Sequence, residues 1–106
     1  MKLLFDQGTP VPLRRYLLKH VAETAYEKGW NDISNGELLM LVESEDFDAL
    51  ITTDQNLRYQ QNLSGRKIAI AVLMTTNWPR IRKHVTTVIQ IIDGLQPGSY
   101  VEIPIP

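Results

Sequence analysis

The chain contains no cysteine. Disulfides, thiolate zinc sites and cysteine nucleophiles are thereby excluded, and a reducing compartment fits. An excess of one charge is missing too: 11 Lys and Arg stand against 12 Asp and Glu, a formal net charge of −1. No bulk attraction to nucleic acid or to an anionic membrane follows, so any basic surface must be local. No apolar run approaches the ~20 residues of a membrane span. The opening Leu3-Leu4-Phe5 also falls short of the ~7–15 apolar residues of a signal-peptide core, which points to the cytoplasm. Glycines at 8, 29, 36, 65, 94 and 98 form neither a GxGxxG nor a P-loop spacing, and no serine occupies a nucleophile elbow. His20 and His84 have no partner at ligand spacing and read as structural or surface residues.

What is present fits one soluble α/β domain. With 106 residues, 43% of them hydrophobic and 22% charged, the chain has room for a single core. Lys2–Asp6 predicts a buried strand, stopped by the turn cluster Asp6-Gln7-Gly8-Thr9-Pro10. A helix is expected from Thr9 or Pro10, with Pro12 in its first turn and Leu13, Leu17 and Leu18 as its apolar stripe. A strand over His20–Ala25 precedes the turn Glu27-Lys28-Gly29-Trp30. Ser34-Asn35-Gly36-Glu37 has the form of a capping box, so a helix should begin near Gly36 and end before Phe47. Ala49–Thr53 reads as the next strand, and Asp54 as a candidate cap for Gln55–Asn62. The run Ile68–Met74 is apolar on both faces and belongs inside a sheet. Trp78, Ile81, Val85, Val88, Ile89, Ile92 and Leu95 recur every three or four places, predicting one amphipathic helix over Asn77–Asp93. Ser99–Ile103 should be an edge strand, with Pro104 and Pro106 preventing further pairing. This order predicts a mostly parallel five-stranded sheet between helices, joined by right-handed crossovers.

Three acids fall where such a sheet would gather them: Asp6 and Asp54 at strand ends and Glu37 at a helix start, all on the C-terminal edge. Each has a sufficient structural role as a turn or helix cap. Together they would repel unless a cation or a raised pKa relieved them, and Mg²⁺ or Mn²⁺ suits all-oxygen ligands. The implied chemistry is phosphodiester hydrolysis. Thr52 and Thr53 read as ordinary strand residues. Arg80, Arg82 and Lys83 crowd the start of the Asn77–Asp93 helix, where the macrodipole disfavours cations. They form either a solvated face or a phosphate contact for a nucleic-acid backbone.

In LFDQGTP, SNGELL and LITTDQN, in this order, the chain resembles the small bacterial PIN-like proteins, relatives of the PIN-domain ribonucleases of toxin–antitoxin systems. The resemblance implies a three-layer α/β/α sandwich and Mg²⁺ or Mn²⁺ held by Asp6, Glu37 and Asp54. It also implies RNA as substrate, an antitoxin-like protein partner and a homodimer. The chain departs from the pattern at three places where such relatives carry further acids: Gln7, Asn35 and Asn56. Amides coordinate through their carbonyl oxygens but bring no charge. The alternative is therefore a catalytically degraded module that binds RNA or a protein partner.

Overall fold

The computed structural model describes residues 1–106. Five strands form one parallel sheet: β1 (Lys2–Phe5), β2 (Val21–Thr24), β3 (Ala49–Thr52), β4 (Ala69–Leu73) and β5 (Tyr100–Ile103), in the spatial order β2-β1-β3-β4-β5. Every pairing is parallel, with Phe5 opposite both Thr24 and Ile51, Thr52 opposite Val72, and Ile70 opposite Tyr100. All five residues of β4 are buried, as its two-sided apolar run requires. β5 occupies one edge, ahead of Pro104 and Pro106.

Alternation along the strands divides the core in two. Leu3, Phe5, Ile51, Ala71, Leu73 and Ile103 face one layer, and Leu4, Leu50, Ile70 and Val72 face the other. The first layer is covered by a 3-10 helix at Val11–Tyr16 and by two helices, α3 (Trp78–Lys83) and α4 (Val85–Asp93). The second is covered by α1 (Asn35–Ser44) and the single turn α2 (Leu57–Gln60). The result is an α/β sandwich of three layers.

Several boundaries differ from expectation for local reasons. The segment after Pro10 winds as a 3-10 helix, and Leu18 is 88% exposed rather than in the apolar stripe, which Leu13 and Leu17 supply alone. Leu17 and Leu18 lie past Tyr16, the last residue of that helix, and the bend at the cap Leu17 (φ −100°, ψ 58°) leaves Leu18 pointing outward. The single helix expected over Asn77–Asp93 is divided at His84, whose N–H bonds the carbonyl of Ile81 at 3.0 Å in a tightened turn. Asn77 caps the first piece through the Arg80 N–H, at 3.1 Å. The β-branched run Val85-Thr86-Thr87-Val88-Ile89 opens the second.

Nor do the crossovers share one hand. β1 steps to β2 over the first layer, while β2 to β3 and β3 to β4 step the opposite way over the second, so these three agree in hand. The step from β4 to β5 runs over the first layer and has the opposite hand. The 3-10 helix and its C-cap bring only Leu13 and Leu17 to that layer. Ile81, Val88 and Ile92 of α3 and α4 cover the rest of it.

Candidate active site

The strand order reverses direction between β1 and β3: the chain leaves β1 toward β2 over one face and leaves β3 toward β4 over the other. Open α/β sheets place their ligand crevices outside the C-terminal ends of the strands at such a switch point. One wall is Asp6-Gln7-Gly8-Thr9 and the other Thr52-Thr53-Asp54. The walls touch closely, since a Cβ on Gly8 would lie 2.4 Å from Thr53 Oγ1. Only glycine lets the loop rest there without displacing the threonine.

Asp6 follows β1, its N–H bonded to the Ile51 carbonyl at 3.1 Å, and its carboxyl is the hub of the crevice. Thr52 Oγ1 donates to Asp6 Oδ2, and Thr9 Oγ1 lies 2.8 Å from Asp6 Oδ1 and 2.8 Å from the Ile51 carbonyl oxygen. A hydroxyl carries one proton, and a carbonyl can only accept. When Thr9 donates to Ile51, the proton between Thr9 and Asp6 must come from Asp6. Burial pushes the Asp6 carboxyl above the usual carboxylate range, and the charge of Asp54 adds to the rise; the hydrogen bonds from Thr52, Thr9 and the Gly8 backbone oppose it.

Asp54 lies two residues beyond β3. Its N–H donates to Thr52 Oγ1 at 3.0 Å, so a continuous chain runs from the Asp54 backbone through Thr52 to the Asp6 carboxyl. Its Oδ1 accepts from the Asn56 N–H at 2.9 Å and its Oδ2 from Asn35 Nδ2 at 3.0 Å. The role expected for Asp54 as a helix cap is thus replaced by a tighter turn onto Asn56, because α2 starts only at Leu57. Asn35 Nδ2 also reaches Gln60 Oε1 at 3.3 Å, which leaves its own carbonyl oxygen available.

The structure therefore brings Asp6 and Asp54 to one edge on neighbouring strands. Glu37 is not gathered with them: it is exposed on α1, its N–H bonded to Ser34 Oγ at 3.2 Å in the capping arrangement. No three His, Cys, Asp or Glu side chains are grouped as a metal site anywhere in the chain. Arg80, Arg82 and Lys83 lie on α3, which starts beyond the end of β4. The Arg80 guanidinium is engaged with the Ile105 carbonyl at 2.8 Å, whereas Arg82 and Lys83 are exposed and form no ion pair.

In sequence Thr9 stands only within a turn cluster and Thr52 only within a strand. The available signal was their spacing, a hydroxyl three residues after Asp6 and another two before Asp54, which lets each reach a carboxylate or its backbone. No family model matches the chain, and no curated protein or solved structure matches it either.

Proposed function

We propose that the chain is a PIN-like, metal-dependent ribonuclease that hydrolyses RNA phosphodiester bonds in the crevice between β1 and β3. The observation that carries this reading is Asp6: a carboxyl disfavoured as an anion by burial and by Asp54, at the switch point of a parallel sheet. A titratable group shifted from its ordinary range at such a strand end is a candidate functional residue. Toxin–antitoxin function, an antitoxin-like partner and a homodimer belong to the same proposal through the resemblance.

The donor set fits Mg²⁺ or Mn²⁺ in a limited way. Asp6, Asp54 and the Asn35 carbonyl oxygen would hold the ion, and Mg²⁺ is commonly bound by one or two carboxylates with water and substrate phosphate completing the shell. When bound, such an ion supplies neutralisation of phosphate charge and a more acidic water. The chain's own residues do the positioning. Thr9 and Thr52 fix both oxygens of Asp6, while Asn35 and Asn56 fix those of Asp54. Arg82 and Lys83 offer phosphate contacts away from the crevice floor.

A second reading, a catalytically degraded module binding RNA or a protein, is favoured by the separation of Glu37 from the pair. One experiment separates the two. Asp54→Asn is expected to abolish Mn²⁺-dependent cleavage of single-stranded RNA while leaving metal-free thermal stability unchanged or higher, because asparagine can still accept from Asn56 and the repulsion on Asp6 is relieved. Wild-type protein that cleaves no RNA over a Mn²⁺ titration would leave the binding module as the reading. A variant cleaving at the wild-type rate would place the activity elsewhere.

A further inference from the structure

Beside Asp6, on the side away from Asp54, a cavity of about 290 Å³ opens between the start of the 3-10 helix and the loop after β2. It is lined by Asp6, Gln7, Val11, Arg14, Tyr26 and Glu27, with Thr9 and Thr24 at its floor. Two apolar side chains of its rim are left open to a ligand: Tyr26 is 76% exposed and Val11 48%. Neither packs in a hydrophobic cluster, and Tyr26 forms no aromatic pair.

The charges of the cavity select among ligands. Arg14 Nη1 is spent on Glu27 Oε1 at 2.7 Å and on the Ala22 carbonyl at 3.3 Å. Glu27 Oε1 also accepts from the Thr24 N–H at 3.0 Å. The Arg14 guanidinium holds Glu27 below the usual carboxylate range, so it is an acceptor at neutral pH. With one guanidinium against two carboxyl groups, the cavity repels a phosphate. An uncharged planar group fits, offering one face to Tyr26 and donors on its edge to Glu27 and Gln7. Pockets for small organic groups combine an apolar wall with a few placed polar atoms in this way.

We infer that this cavity is a base-binding subsite, in which an unpaired nucleobase of the RNA stacks on Tyr26 beside Val11 while its phosphate stays outside the cavity. The inference rests on the ribonuclease reading for the identity of the polymer and adds the place where an unpaired base is held; a stacked and paired base cannot enter.

The test is fluorescence anisotropy with a short labelled single-stranded RNA and the duplex of the same sequence, in EDTA so that nothing is cleaved. Wild type is expected to prefer the single strand. Tyr26→Ala should weaken binding by about tenfold or more, and Tyr26→Phe should retain it, since stacking needs the ring and not the hydroxyl. Tyr26 is exposed, so circular dichroism of both variants should match wild type. Equal binding by Tyr26→Ala and wild type, equal binding of duplex and single strand, or no binding by wild type would overturn the subsite. The two readings fail separately: Mn²⁺-dependent cleavage lost in Asp54→Asn but unaltered in KM by Tyr26→Ala leaves a nuclease without this subsite. Binding that depends on Tyr26 without any cleavage leaves the subsite on a binding module.

Discussion

Asp6 is the residue in which the fold and the proposed chemistry meet. Its folded-state pKa is raised above the unfolded one, so the group favours the fold most at low pH, and that contribution is lost as pH rises through the folded value. Asparagine mimics the neutral acid, with an oxygen to accept from Thr52 and an N–H to give to Thr9. Asp6→Asn is therefore expected to equal wild type in stability near pH 3 and to exceed it at pH 7. Urea unfolding of both proteins across that range is the measurement. A variant less stable than wild type at neutral pH would show that Thr9 and Thr52 stabilise the ionised acid more than burial penalises it. The same substitution should abolish metal-dependent cleavage, so stability and activity move in opposite directions at one position.

Among the elements, α1 shows how much of the fold the sequence carried. Ser34 and Glu37 placed its start within a residue, because a cap is a local interaction that spacing reveals. Its other end was legible only as a limit before Phe47. The structure shows a Schellman ending, with the Phe47 N–H on the Val42 carbonyl at 3.1 Å and the Asp46 N–H on that of Glu43 at 3.2 Å. Asp46 takes the left-handed position, φ 61°, where a β-carbon is crowded. Asp46→Gly should raise stability by about 0.5–1 kcal/mol, read as a shift in the urea midpoint at unchanged slope. A loss would mean that the carboxylate makes an offsetting contribution. β2, Val-Ala-Glu-Thr, was the weakest of the five strands, whereas β1, β3 and β4 were legible from their apolar runs and β5 from its alternation. The division at His84, the shortness of α2 and the outward turn of Leu18 were not, since each depends on packing against distant layers. The crevice was legible in part for the same reason. Strand ends announce Asp6 and Asp54, but nothing near Glu37 in sequence reveals that α1 carries it outward.

In the whole molecule, every strand pairing joins distant segments: Lys2 lies opposite Val21, Leu3 opposite Ala49, and Ile70 opposite Tyr100. Sheets of this kind pay loop-closure entropy before any ladder forms, and they fold slowly for their size. The two edges are protected differently. At β2 the outward Ala22 carbonyl is taken by Arg14, the Thr24 N–H by Glu27 and the Thr24 carbonyl by the Lys28 N–H, so this edge is closed by its own side chains and turn. At the other edge the protection is β5 itself. β4, five buried apolar residues with no charge, is shielded on that side by a strand that arrives only after α3 and α4. A chain lacking residues 96–106 would expose the backbone of Ala69–Leu73 as an open template, a segment of the composition that seeds intermolecular cross-β pairing. Such a truncated chain is expected to scatter light and bind thioflavin T under conditions where the full chain does neither; a soluble, folded monomer would refute this. A ribosome passes through the same situation each time it makes the protein. Between the emergence of β4 and that of β5, the nascent chain carries its most aggregation-prone stretch uncovered, so synthesis of the segment from α3 to β5 sets the window in which chaperones matter most.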